Sequence, residues 1–156
     1  MVELTGGCGC GQVRYRMMEW PLFTHCCHCS WCQRETGSAF VLNALIETDL
    51  LKLKGEAEEI HTPSASGKGQ KIIRCSDCHI AIYSHYSGAG PRFAFLRVGT
   101  LDDPACCPPD VHIFTSTKLP WVILSGNIPV MEEYYDREAL WPAASLERRK
   151  VALAQG

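Results

Sequence analysis

A chain of 156 residues with 46% hydrophobic composition carries enough apolar side chains for the core of one domain of ordinary size. Its formal net charge of -2, with no block of lysines or arginines, argues against nucleic acid or an anionic membrane as partner. The start lacks the basic region and apolar run of a signal peptide and no later stretch nears the roughly 18 apolar residues that span a bilayer, so the expectation is a cytoplasmic protein whose ten cysteines are reduced and ligate metal or do redox chemistry.

In chain order the first motif is GGCGCGQ, where Cys8 and Cys10 are flanked by Gly7, Gly9 and Gly11 ahead of an alternating run at 12–16. Glycine opens backbone angles closed to other residues, so two thiolates can turn onto one ion before a strand begins. A glycine-rich loop with two buried thiols is the simpler alternative. Trp20-Pro21 disfavours helix, and the chain enters extended into HCCHCSWCQRETGSAF at 25–40.

Here Cys27, Cys29 and Cys32 read C-x-C-x-x-C with no fourth partner nearby. Zinc takes cysteine sulfur at about 2.3 Å and prefers a tetrahedron, so three thiolates leave one position open to water or substrate, the mark of a catalytic site. The alternative is that Cys26, or a histidine from elsewhere, closes the tetrahedron and the site is structural. His28, inside the cluster, reads as a ligand, a base or, by default for a residue interleaved between ligands, a side chain that points outward. Residues 33–36 suit one helical turn ended by Gly37, and the apolar run 39–46 suits a buried strand.

A strand at 50–54 is expected to turn at Gly55 as a hairpin into 58–62, followed by the loop PSASGKG at 63–69. Strands at 70–74 and 80–85 flank Cys75-Ser76-Asp77-Cys78. A C-x-x-C at a tight turn between strands is the shape of a zinc knuckle, and two cysteine pairs far apart can complete one Cys₄ site. Cys8 and Cys10 are its natural partners. A thioredoxin-like reading needs the motif to open a helix in a βαβ setting, which the alternating neighbours do not offer.

Further strands are expected at 92–98 and 111–115, with a short edge at 122–124. Cys106 and Cys107 lie beside Pro108 and Pro109, a poor chelating geometry, and read as buried or surface thiols. His112 reads either as a fourth ligand or acid-base group, or as a hydrogen-bonded, half-exposed strand residue. Ser145 reads as the N-cap of a charged helix over 146–153, in a tail at 137–156 expected to be peripheral. The sum is eight or nine short strands and few helices, a mainly β domain over 1–156 pinned by metal.

GGCGCGQVRY, CHCSWCQRETGSAF, the C-x-x-C at 75–78, RVGTLDDP at 97–104 and HIFTSTKLPW at 112–121 follow the order seen in the glutathione-dependent formaldehyde-activating enzyme family. The chain resembles that family over about residues 3–136. The resemblance implies an Mss4-like β-sheet domain with zinc-knuckle turns and two zinc ions. Cys8, Cys10, Cys75 and Cys78 would hold the closed structural ion, and Cys27, Cys29 and Cys32 the open one that meets substrate. It implies a carbon-sulfur lyase that joins a small thiol such as glutathione to an aldehyde such as formaldehyde, or splits their adduct. For a tripeptide thiol with two carboxylates, Arg34, the Gly37 backbone and Ser38 are the adjacent candidates for contact. A non-catalytic zinc-stabilised domain that presents a surface to a protein partner is the competing reading, and a redox enzyme working through Cys106 or Cys107 is a third. The chain departs from the family pattern at Arg74, where an aromatic residue is usual, at His79, where glycine is usual, and at Gln33, where arginine often stands.

Overall fold

Strand β4 (Val41–Glu47) is buried along most of its length, as a run apolar but for Asn43 requires, because a strand with apolar residues at successive positions must be covered on both faces. The structure, a computed structural model, describes residues 3–124 and 126–155; Met1, Val2, Ser125 and Gly156, among them both ends of the expected 1–156 domain, lie outside the described residues. Before β4 come β1 (Leu4–Gly7), β2 (Arg14–Met17), β3 (Phe23–Cys27) and α1 (Ser30–Thr36). After it come β5 (Leu51–Lys54), β6 (Ala57–Thr62), β7 (Gln70–Cys75), β8 (Ala81–Tyr86), β9 (Phe93–Arg97), β10 (Val111–Ile113), α2 (Arg137–Leu140) and α3 (Ala143–Ala154). The fold is mainly β. None of its helices among the described residues is long and apolar enough to cross a membrane.

The strands form a three-stranded sheet, β1-β2-β5, and a seven-stranded sheet in the order β10-β3-β4-β9-β8-β7-β6. Pairing is antiparallel apart from β10 on β3, where His112 stands opposite Cys26 and Ile113 opposite Cys27. Side chains alternate across a strand, so β4 sends Ala44 and Ile46 to a core shared with Val13, Tyr15 and Met17 of the small sheet. Its Val41 and Leu45 face a second core with Phe23, Phe93, Val111 and Trp141. Each large apolar side chain so buried contributes roughly 1.5–3 kcal/mol. The large sheet is therefore sandwiched, with the small sheet on one face and the C-terminal segment on the other.

Four local expectations are corrected. Gly55 does not turn a hairpin: β5 pairs with β2 and β6 with β7, so the chain crosses there from one sheet to the other. Its φ is +95°, and a Cβ would lie 1.9 Å from the Gln12 carbonyl oxygen, a place open only to glycine. Residues 122–124 form no strand. Helix α1 is longer than one turn, because the Cys29 sulfur caps its start by accepting the Cys32 N–H at 3.3 Å and Gly37 ends it at φ +63°.

The fourth concerns the tail. Ser145 lies buried inside α3, which starts after Pro142, a residue whose fixed φ favours a helix start. Nor is the segment peripheral. Trp141 is 5% exposed, stacks on Phe23 with ring centroids 5.5 Å apart, and donates its Nε1–H to the Tyr135 hydroxyl at 2.8 Å. Arg148 reaches the Glu47 carboxylate at 2.6 Å, fastening α3 to β4.

Candidate functional site

The first cysteine group forms where two turns meet. Cys8 and Cys10 leave β1, Cys75 ends β7, and Cys78 follows on the knuckle turn. The Cys8 and Cys10 sulfurs are 3.4 Å apart, and Cys10 and Cys75 are 3.7 Å apart across 65 residues of chain. All four sulfurs lie within 4.8 Å of one another. A disulfide needs about 2.05 Å, whereas the edge of a ZnS₄ tetrahedron built on bonds of about 2.3 Å is about 3.8 Å, so the set fits zinc. Burial raises the Cys8 thiol, but the Val13 N–H and then the Cys10, Cys75 and Cys78 sulfurs outweigh it and bring it down to about 6.

The second group is built by β3 and α1. Cys27 is the last residue of β3, Cys29 is the N-cap of α1, and Cys32 lies in its first turn. The three sulfurs lie within 4.8 Å of one another, and among the described residues no histidine, carboxylate or fourth cysteine joins them. Cys29 ionises most readily. Hydrogen bonds from Cys27 and Cys32, and against burial the N–H groups of Cys32 and Trp31, bring it down to about 3. Its thiolate in turn pushes Cys27 up, together with Cys32 and burial. For Cys32 the Cys27 hydrogen bond lowers, but Cys29 and burial prevail and push the thiol up to about 12. One negative charge is thus shared by three sulfurs, and all three ionise together only around a cation. The fit is to a metal with three protein ligands and a free position.

These sulfurs open on a cavity of about 420 Å³, within the range of small-molecule sites. Its walls include the aromatic side chains Trp31, Tyr86, Phe93, Phe95, Phe114 and Tyr134, and its charged lining residues are Lys68, Arg137 and Arg149, with no aspartate or glutamate. Phe114 adopts a left-handed backbone at φ +53°, an uncommon state for a bulky residue and one that concentrates at functional sites. Behind the cluster, the buried Arg97 guanidinium donates to Asn43 Oδ1 at 2.5 Å and to Ser84 Oγ at 2.8 Å. Its positive charge lowers the Cys32 thiol.

A family model described as glutathione-dependent formaldehyde-activating enzyme matches residues 3–117, a span that holds all seven of these cysteines. The chain belongs to this family. Two relatives carry the name "Putative glutathione-dependent formaldehyde-activating enzyme". One, from Halomonas elongata, is 28% identical over 131 residues, covering 80% of this chain and 82% of its own. The other, from Phaeosphaeria nodorum, is 21% identical over 135 residues, covering 85% and 70%. A crystal structure of a Rhodobacter sphaeroides protein aligns at a TM-score of 0.48 and 22% identity, over 63% of this chain and 87% of its own.

Within this family member, the residues expected to touch substrate are not where the cavity is. Arg34 and Ser38 are exposed, as is Gly37 at the end of α1, and none of the three lines the cavity. Gln33 donates to the carbonyls of His28 and Thr117 at 2.8 and 2.9 Å and so ties α1 to the chain beyond β10. At His79 the backbone has φ +59°, the left-handed geometry for which glycine is the usual choice, and its ring bonds to Glu58 at 2.9 Å.

The sequence reading did not single out His25, and it weighed Cys26, His28 and His112 one by one without seeing them as a group. His25 lines the cavity on the same face of β3 as Cys27, with Nε2 2.5 Å from the Tyr135 hydroxyl. Burial, and then the charge of Arg137, push it down to about 4, so it is neutral at pH 7. On the opposite face, Cys26, His28 and His112 form a buried trio. His28 Nε2 is 3.4 Å from Cys26 Sγ and 3.0 Å from His112 Nδ1. Cys26 therefore does not close the three-thiol site, and His28, fully buried, does not point outward. The signal was present in the string HCCHC, since a period of two separates 25, 27 and 29 from 26 and 28. Cys106 and Cys107 are adjacent thiols 3.7 Å apart and join neither cysteine group.

Proposed function

We propose that the protein joins a small thiol, glutathione first among them, to an aldehyde such as formaldehyde, and splits the same adduct in reverse, as a zinc-dependent carbon-sulfur lyase. The observation that supports this best is a three-thiol cluster without a fourth protein ligand among the described residues, opening on an aromatic cavity. In the joining direction the thiol S–H bond breaks and a sulfur-carbon bond forms. The carbonyl π pair passes to oxygen, and the thiol proton ends on that oxygen. Charge and electrons balance without an oxidant. Zinc held by Cys27, Cys29 and Cys32 would offer its free position to the substrate sulfur and keep it ionised near neutral pH.

The chain's own groups do the rest. Arg97 offsets the negative charge that collects around Cys32, and the aromatic walls keep bulk water from the reacting carbon. The neutral His25 leaves the cavity's cationic charge to its arginines and Lys68. Cys8, Cys10, Cys75 and Cys78 would hold a second, structural zinc that clamps the β1 turn to the knuckle turn.

The test is zinc content per chain, before and after equilibration with millimolar glutathione, for wild type and Cys29→Ser, alongside the NMR-detected conversion of ¹³C-formaldehyde into its S-hydroxymethyl adduct. The expected result is about two zinc ions in wild type and about one in the variant, glutathione perturbing only the weaker site, and adduct exchange accelerated by wild type alone. Two zinc ions held equally tightly whatever the thiol, with exchange no faster than in buffer, would replace this reading with that of a zinc-stabilised interaction domain.

A further inference from the structure

We infer that Arg137 and Arg149 form a carboxylate-binding subsite over the three-thiol cavity, so that the thiol taken there is an anionic one. This rests on the thiol reading above and names the class of thiol. Both guanidinium groups line the cavity and both are partly buried. Each lies over an aromatic ring, Arg137 at 5.3 Å from the Trp141 centroid and Arg149 at 5.8 Å from that of Phe93, which holds the fork in place without using its donors.

What sets the two apart is that their donors are unused. The neighbouring Arg148 is fully engaged, with Glu47 at 2.6 and 3.1 Å and the Trp20 carbonyl at 2.9 Å. By contrast, no side-chain hydrogen bond or ion pair of Arg137 or Arg149 occurs among the described residues, and no carboxylate lines the cavity. Two partly desolvated cations near each other raise the free energy of the empty site. Burial, and then Arg137 itself, depress the ionisation of Arg149, and the opposing charges of Glu138 and Tyr134 do not cancel them. That cost is relieved when a carboxylate accepts from the fork, a charge-assisted pair stronger than a neutral hydrogen bond. Lys68, an exposed lining residue from the 63–69 loop, adds a third positive charge. Glutathione has two carboxylates for the two arginines. Both arginines lie beyond residues 3–117, so the selectivity belongs to this chain's C-terminal segment and not to the part the family model matches.

The experiment is calorimetric titration of the zinc-loaded protein, as wild type, Arg137→Gln and Arg149→Gln, with three probes: glutathione, its analogue with methyl in place of the thiol, and 2-mercaptoethanol. Zinc per chain and the thermal midpoint are measured on each variant, and Arg137→Lys and Arg149→Lys serve as charge-conserving controls. Expected is a loss of glutathione affinity of about tenfold or more for each glutamine variant, the size of a charged hydrogen bond. The lysine variants should recover part of it, and 2-mercaptoethanol should bind all variants alike. Glutathione bound within twofold of wild type by both glutamine variants would overturn the subsite, while tighter binding of glutathione than of the methyl analogue would still support the thiol reading. Arginine-dependent binding of both tripeptides with equal affinity would support the subsite and sink the thiol reading. No binding of either tripeptide overturns both.

Discussion

A buried imidazole that stays neutral makes stability depend on pH in a definite direction. His25 takes up its proton near pH 6.5 in the unfolded chain and near 4 in the folded one, burial being the first cause and Arg137 the second. Between those values the unfolded state binds more protons, so the contribution of His25 is fully present above about pH 6.5 and is lost as pH falls toward about 4. The loss across that window is roughly 3.5 kcal/mol at about 1.4 kcal/mol per pH unit. Urea unfolding of the zinc-saturated protein should therefore show a midpoint that falls between pH 7 and pH 5. The His25→Gln variant, which can still bond to Tyr135, should flatten that slope by about one proton. An unchanged slope would mean that His25 protonates as easily in the folded chain as in the unfolded one. The residue scale also explains the misplaced His28. Ligand spacing says which sulfurs can share an ion, but the face on which an intervening side chain lies is set by the strand that carries it.

Among the elements, the contact between β7 and α1 matters most for the two cysteine groups. Arg74 reaches Glu35 of α1 with one nitrogen and donates to the His79 carbonyl at 3.0 Å with the other. It thereby fastens the knuckle turn that carries Cys75 and Cys78 to the helix that carries Cys32. The pair is largely screened from solvent, with side chains 23% and 15% exposed, and loss of one partner leaves the other poorly solvated. Arg74→Ala is expected to lower stability by about 1–2 kcal/mol. A double-mutant cycle with Glu35→Ala should return a coupling of similar size, whereas strictly additive effects would show that the contact does not join the two elements.

For the molecule as a whole, the decisive feature is that the large sheet is covered on both faces. The small sheet covers one, and the segment from residue 131 onward covers the other, with Met131, Tyr135, Leu140 and Leu146 packed against the second core. Trp141 anchors that cover through Phe23 and Tyr135. Trp141→Ala should cost about 3–5 kcal/mol, the usual range for emptying a large aromatic site. Chemical denaturation measures it directly, and a change below about 1 kcal/mol would return the segment to the peripheral role expected from its charged sequence. The same cover brings Arg137 of α2 and Arg149 of α3 to the cavity that the thiols line, so the proposed carboxylate subsite and the cover of the sheet share one C-terminal segment.

The sequence alone determined the mainly β class, most strand positions and the spacing of the two cysteine groups, because alternation and ligand spacing are properties of a few consecutive residues. Residues such as 70–74 and the C-x-x-C at 75–78 are readable for that reason. Only the tertiary structure decided the rest. It set β10 parallel to β3 so that His112 meets His28 across 84 residues, and sent the chain across sheets at Gly55. It also placed the cavity's arginines on a tail whose local pattern shows nothing but a charged helix. These outcomes depend on which faces are buried against which, a sum over distant contacts that no short window of residues contains.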